Sequence, residues 1–229
     1  MVVHMLPKHV APVRFWYPAQ MHINIASTLP VKIAWLTLPV PSQLNVATQL
    51  AETAKTVGQQ FQLQVLSEDV IVQQVRTVFR ATGIDPTKYR PSSEALIRRA
   101  VKGEPVRSIN PIVDINNICS MEYRLPLGCY DVSQLQGDVT IRLGNPDEAY
   151  TGVAKQISIG GKLCCADTAG AFGSPISDSA RTKVTEQTKE VLVIAFGHTS
   201  TSDDHLRAAM ERFQQLVGSN ELISISSGA

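Results

Sequence analysis

The chain has 229 residues, 44% of them hydrophobic and 18% charged, enough to bury one substantial core or two small ones sharing an interface. Lys and Arg number 21 against 20 Asp and Glu, and the net charge of +1 argues against a protein held to nucleic acid by a global excess of cations, so any RNA contact must be local. The longest apolar run, 31–40, is far short of the roughly 20 residues needed to cross a bilayer and is broken by Lys32 and Pro39, which rules out a membrane span.

Residues 1–29 hold Pro7, Pro12, Pro18, Trp16 and Tyr17 without a sustained period, and read as an arm or tail. They lack a continuous apolar stretch with a small-residue cleavage site, so a cytoplasmic protein is expected. Residues 31–40 are β-branched and aromatic and predict a buried strand. Leu44, Ala47, Leu50, Ala51 and Ala54 then follow at helical spacing within 42–61. A second helix carries Val70, Val75, Val78 and Phe79 and stops at Gly83 and Pro86. A third runs from Ser92 or Ser93 to Gly103, and a fourth over 111–121. Residues 125–130 read as a bend containing Pro and Gly, and strands are predicted at 139–143, 155–159, 162–166 and 190–196. Ser202, Asp203 and Asp204 cap a last amphipathic helix with Leu206, Met210, Phe213 and Leu216 or Val217 in register. Residues 219–229 read as a tail, leaving 30–218 as a single domain.

Cys119, Cys129, Cys164 and Cys165 lack metal-ligand spacing and read as small apolar core residues in a reducing compartment. His4, His9, His22, His198 and His205 lie outside any close carboxylate or cysteine cluster, so neither a metal nor a catalytic histidine is expected. The Gly-Ala-Phe-Gly-Ser stretch at 170–174 lacks the Gly-Lys-Ser/Thr of a phosphate loop and reads as a turn. Residues 173–177 are not a nucleophile elbow, which needs Gly-x-Ser-x-Gly between strand and helix and a partner histidine.

Two segments resist a purely structural explanation. In 107–117, Asn110 suits a helix N-cap, but Asn116 and Asn117 fall in the helix interior beside Ile115 and Ile118, where buried amides need specific partners. In 177–188, Ser177, Ser179, Thr182 and Thr185 surround Arg181. A solvated loop is the default there, and the alternative is a pocket wall in which Asp178 and the hydroxyls bind a substrate amine or ribose while Arg181 holds the loop or an anion.

Over 109–117 the chain reads Ile-Asn-Pro-Ile-Val-Asp-Ile-Asn-Asn, and 125–131 follows with Leu-Pro-Leu-Gly-Cys-Tyr-Asp. Together with Tyr-Arg-Pro-Ser-Ser-Glu-Ala-Leu-Ile-Arg-Arg at 89–99 and Asp-Ser-Ala-Arg-Thr-Lys-Val-Thr at 178–185, this resembles the tRNA-editing domain of the phenylalanyl-tRNA synthetase beta chain, and more closely its stand-alone bacterial and archaeal homologues. The resemblance covers about 68–217 with its motifs in order. It implies an α+β fold of mixed β-sheets packed with helices, and a cleft that hydrolyses the ester of mischarged tRNA by positioning water and the terminal ribose, with no metal, cofactor or protein nucleophile.

Carried over by position, Asn117 and Asp178 are the catalytic candidates. Asp114, Asn116, Gly128, Ser177, Ser179, Arg181 and Thr182 are the substrate-binding ones. Gly128 stands where the family has histidine, and the family's tyrosine-binding glutamate falls near Val193, so two groups that recognise a hydroxyl are replaced and tyrosine is not implied as the substrate. Arg90, Arg98, Arg99 and Lys102, with Lys88 and Arg107, are the candidate RNA contacts, against the plainer reading of a solvated basic helix face. The implied partners are the tRNA acceptor end or aminoacyl-tRNA, held by weak local contacts, and an amino acid; no membrane or DNA is expected, and the choice between monomer and homo-oligomer stays open. The competing class is a non-catalytic module binding an amino acid or small metabolite, supported by Gly128 and the near-neutral charge, and a third is an interaction scaffold.

Overall fold

The longest apolar strand segment, 191–196, has no polar alternation, which suits a strand covered on both faces. In the computed structural model, which describes residues 21–153 and 155–228, that segment lies in β9 (Glu190–His198), an inner strand of an antiparallel sheet ordered β10-β2-β9-β3, where β2 is Val31–Pro39, β3 is Leu127–Asp131 and β10 is Ser224–Ser227. Val191, Val193 and Ala195 face one way, with Ala34, Leu36 and Leu38 of β2 and Leu127 and Cys129 of β3. Leu192, Ile194 and Phe196 face the other way, with Ile33 and Tyr130. The period of two therefore sorts residues between two cores.

Helices cover the first face: α1 (Ala47–Gln60), α2 (Val70–Ala81), α3 (Ser92–Val101), α4 (Pro111–Tyr123) and α5 (Asp203–Val217). A second sheet covers the other, ordered β1-β4-β7-β8 from Ile23–Ile25, Val139–Leu143, Leu163–Asp167 and Gly170–Gly173, with a hairpin of β5 (Ala149–Thr151) and β6 (Gln156–Ser158) beside it. The architecture is α+β, with mixed sheets packed with helices. No helix among the described residues is long and apolar enough to cross a membrane.

All five expected helices form. Asp69 caps α2 by accepting from Ile71 and Val72 N–H at 3.0 and 3.1 Å, and Ser202 caps α5 from His205 N–H at 3.2 Å. The expectation for α1 starts too early, because Asn45 turns the chain and accepts from Ala47 N–H at 3.2 Å. Four expectations about irregular segments are corrected. The bend at 125–130 contains β3, paired with β9, and the turn at 170–174 contains β8, paired with β7. Part of the 1–29 arm is β1, paired in parallel with β4, and part of the 219–229 tail is β10, paired with β2. Each is short, and β8 and β10, rich in Gly or Ser, become strands through their partners rather than their own propensity. Trp16, Tyr17, His4 and His9 lie outside the described residues.

A buried ion pair joins α2 to α3. Arg76 and Glu94 are 8% and 1% exposed, and the guanidinium grips both carboxylate oxygens at 2.6 and 2.8 Å, with Arg98 adding a third bond at 2.7 Å. Removing one partner strands the other charge in the interior. Glu94→Ala is expected to destabilise the fold by about 3 to 5 kcal/mol in urea unfolding, while Arg98→Ala, which leaves the Arg76 pair intact, is expected to cost well under half of that.

Candidate functional site

Helix α4 begins where Asn110 accepts from Ile112 N–H at 3.0 Å with Pro111 in the first turn, and ends at Arg124 in the left-handed conformation, φ 58°. Ile112, Ile115, Ile118 and Cys119 enter the core. Asn110, Val113, Asn117 and Ser120 recur at intervals of three and four, which places them on one helix face, and that face with Asn116 lines a cavity of about 620 Å³. Leu96 of α3, Leu127 and Cys129 of β3, and Ile176 and Val184 from the segment after β8 supply its apolar lining. Ile109 and Val153, 77% and 69% exposed, stand among its lining residues.

The 177–188 segment is a wall of this cavity and not a solvated loop: Ser177, Asp178, Lys183, Val184, Thr185, Glu186 and Gln187 all line it. Dense local bonding holds it. Asp131 N–H donates to Thr182 O at 2.9 Å, and Thr188 Oγ1 donates to Asp131 Oδ2 at 2.6 Å, fixing the wall to the end of β3. Ser174 Oγ accepts from Ser177 N–H at 3.2 Å, and Tyr150 Oη donates to Ser174 Oγ at 3.1 Å.

Of the catalytic and substrate-binding candidates, the structure brings Asn116, Asn117, Ser177 and Asp178 together around the cavity. The others are placed elsewhere. Asp114 is 1% exposed and committed to Ser108 Oγ and Ile109 N–H, so it anchors the start of α4. Ser179 and Thr182 are buried and bonded to each other at 3.1 Å. Arg181 pairs with Asp167 at 2.9 and 3.0 Å and donates to Gln134 O at 2.9 Å, so of its two expected roles it takes that of holding the loop. Gly128 is on the face of β3 opposite Leu127 and Cys129, where a Cβ would strike the Tyr130 hydroxyl; a Cβ at Gly173 would lie 2.5 Å from the same oxygen. Gly128 therefore makes room for Tyr130. Val193 is wholly buried opposite Cys129 in the register and does not line the cavity.

Two oxygens in the site are out of contact with solvent and lack a hydrogen-bond partner. Asn116 Nδ2 donates to Leu127 O at 3.2 Å, tying α4 to β3, but its Oδ1 is unmatched. Asp178 Oδ1 is the other, and it lies beside the Tyr130 hydroxyl, which is itself buried without a matched partner. Burial pushes the Asp178 carboxyl up to about 7, against a smaller downward pull from the neighbouring Tyr130 hydroxyl. Burial also pushes the Cys129 thiol well above its ordinary range.

The candidate RNA contacts divide. Arg98 is bonded to Glu94, while Arg99 and Lys102 lie 3.9 and 3.7 Å from Glu104. Arg90 is exposed with no acidic partner among the described residues. Among the described residues no group of three His, Cys, Asp or Glu side chains is placed to hold a metal ion.

Residues 74–220, more than half of the chain and including every residue that lines the cavity, match the B3/4 domain family. The chain belongs to that family. Its B3/4 domain is similar to the phenylalanine–tRNA ligase beta subunit of Staphylococcus saprophyticus, 26% identical over 185 residues that cover 73% of this chain and 22% of that protein. The corresponding subunit of Fusobacterium nucleatum is 26% identical over 63% of this chain and 18% of that protein, and that of Shewanella oneidensis 46% identical over 20% and 6%. The chain thus spans less than a quarter of the length of these curated relatives. An N-terminal fragment of the phenylalanyl-tRNA synthetase beta subunit from Pyrococcus horikoshii aligns with 90% of this chain and 50% of that one, at 10% identity and a TM-score of 0.47.

The apolar lining of the B3/4 cavity escaped the sequence reading because Leu96, Val113, Ile176 and Val184 carry no mark separating a cavity wall from a core. The recurrence of Asn110, Asn117 and Ser120 on one face of α4, away from Ile112, Ile115 and Ile118, was the available signal that this face meets something other than apolar core.

The raised Asp178 pKa has a thermodynamic consequence. The unfolded carboxyl ionises near the ordinary value of 3.8 and the folded one near 7, so the folded state retains the proton longer and stability falls as pH rises through that window. Asp178→Asn is expected to flatten this part of the profile and to exceed the wild type in stability at pH 8, by on the order of 4 kcal/mol. Thermal unfolding of both proteins between pH 4 and pH 8 checks the sign and the size.

Proposed function

We propose that the B3/4 cavity takes the aminoacyl end of tRNA and hydrolyses its ester, acting as a freestanding deacylase. The observation that carries this reading is the cavity itself, where Asn117 and Asp178 stand among polar groups beside an apolar patch of Leu96, Val113, Leu127, Cys129, Ile176 and Val184. A concave site with convergent polar groups and a carboxyl of displaced pKa is the form that a small-molecule site takes. An amino-acid ester supplies an ammonium donor, an apolar side chain and a carbonyl in one small molecule, and the volume is within the range of small-molecule sites. Kinship with phenylalanine–tRNA ligase beta subunits supports tRNA as the alcohol of that ester.

In the proposed reaction the ammonium is received among the polar lining residues, and the side chain rests against Leu96, Val113, Leu127 and Cys129. The Asp178 carboxylate takes a proton from a water whose oxygen forms the new bond to the ester carbon. Asn117 donates to the carbonyl oxygen as negative charge develops there. The tetrahedral adduct collapses by breaking the bond to the ribose oxygen, and the proton held on Asp178 passes to that oxygen. The products are the free amino acid and the free ribose hydroxyl. A carboxyl near 7 suits a base working at neutral pH, since it is substantially ionised there yet still basic enough to accept the proton.

Release of labelled amino acid from a panel of correctly and incorrectly charged tRNAs tests the reading. Selective release above the spontaneous rate is expected, strongest for apolar side chains. After subtraction of the spontaneous reaction, the rate is expected to rise with pH and level off above about 7, and joint Asn117→Ala and Asp178→Asn replacement is expected to lower it at least about 100-fold. Unchanged release from that double variant overturns the assignment of these residues. No release by folded protein, together with calorimetric binding of free amino acid, turns the conclusion to a non-catalytic binding module.

A further inference from the structure

Tyr130 is the largest side chain wholly buried among the described residues, and the reaction above gives it no part. It projects from β3 into the space between the two sheets, where its ring meets that of Phe172 edge to face, with centroids 4.9 Å apart and planes at 81°. Among neighbours such as Val139, Ile141 and Phe172, a phenylalanine ring would fill this place without enclosing a hydroxyl, which is costly away from water. The chain nevertheless clears room for that hydroxyl from two strands, since a Cβ at either Gly128 of β3 or Gly173 of β8 would meet it.

The cleared room sets the hydroxyl beside Asp178. Tyr130 Oη and Asp178 Oδ1 are both shut off from solvent, and neither has another hydrogen-bond partner. Asp178 as a whole is only partly buried and lines the large cavity, so one carboxyl spans the wall, with the phenol behind it. The other titratable groups around the pair are Cys165 and Tyr150 near the phenol and Cys129 near the carboxyl, and burial pushes all three above their ordinary ranges, which leaves them neutral near pH 7. Lys183 and Glu186 of the cavity lining are exposed, and Lys183 makes no ion pair with Asp178. We propose that Tyr130 is a positioning residue for Asp178: its hydroxyl donates to Oδ1 of the ionised carboxyl from the core side and leaves Oδ2 turned to the cavity as the oxygen that takes a proton from water. The work of Oδ2 rests on the proposed ester reaction, whereas the bond between the two side chains does not need it. A donor to the ionised form favours that form, so Tyr130 opposes the burial that raises Asp178. The phenol keeps its own proton, because burial and the neighbouring carboxylate both push it well above its ordinary range, and it therefore serves as a donor and not as a base.

Carbon-13 NMR of the aspartate carboxyls, with the Asp178 signal assigned by its loss in Asp178→Asn, follows this titration without substrate. In Tyr130→Phe, which keeps the ring and its packing, the signal is expected to titrate about one pH unit higher than in the wild type. Release of amino acid from charged tRNA by the same variant is expected to fall about tenfold at pH 6 and to approach the wild-type rate toward pH 9, a pattern that loosened packing alone would not give. Thermal unfolding at pH 5, where the Asp178 carboxyl is protonated in both proteins, confirms that the variant is folded. An unchanged Asp178 titration in folded Tyr130→Phe overturns the inference whatever the rate does, and leaves the ester site standing on its own test. A raised titration in the variant, with no release of amino acid by the wild type, upholds the bond from Tyr130 to Asp178 and defeats the ester reading.

Discussion

The cavity depends on the pairing of β3 with β9. Leu127 faces Ala195 and Cys129 faces Val193, and this register sends Leu127 and Cys129 toward the helices and Gly128 and Tyr130 toward the second sheet. A slip of one residue would put the Tyr130 ring in the cavity and Cys129 between the sheets. The other walls take their position from the same strand: α4 is tied to it by the Asn116 amide on Leu127 O, and the 177–188 segment by the bonds that Thr182 and Thr188 make to Asp131. Because β3 is an edge strand, no further strand fills the space beside it, and the opening that remains is the cavity.

Within that frame the carboxylates divide by partnership. Glu94 holds Arg76 and Arg98, Asp167 holds Arg181, Asp131 holds Ser133 and Thr188, and Asp114 holds Ser108. Glu148, gripped by Arg142 through two bonds, is held down at about 2. Each spends its charge on the fold. Asp178 keeps an oxygen unmatched, and its carboxyl is displaced in the opposite direction because burial acts on it with no cation to offset the cost. That contrast sets it apart from the structural acids, more than its burial does.

The legibility of the sequence follows the range of the forces involved. Helices α2 and α5 were readable because their caps and apolar stripes are local, and β9 because burial on both faces leaves an unbroken apolar run. Strands β8 and β10 were not, since Gly170, Ser224 and Ser226 carry little β preference, and β1 was not because its three residues are held by pairing with β4, far along the chain. The site shows the same division. Asn116 and Asn117 stood out because amides in an apolar helix conflict with their surroundings. Asp114, Ser179, Arg181 and Thr182 looked equally functional, and only the long-range partners of Arg181 and the close packing of the hydroxyls show that they support the wall. The likeness to beta-chain motifs located the cavity but could not separate its lining from its supports, because both lie within the same short stretches.

The chemistry available to the cavity is narrowed by Cys129. Its sulfur sits in the lining, where a nucleophilic thiolate would be well placed to attack an ester, but burial in apolar surroundings keeps it as the thiol at neutral pH. The Asp178 carboxylate pushes the same way, since a carboxylate near a thiol further disfavours a second negative charge. The two groups therefore cannot share the work as an acid–base and nucleophile pair. One negative charge is the most this corner of the cavity holds near neutrality, and it resides on Asp178. With the sulfur protonated, water is the nucleophile consistent with the lining, and the role left to Cys129 is that of an apolar surface. On the proposed reading the same low dielectric that silences the thiol strengthens the bond from Asn117 to the bound ester.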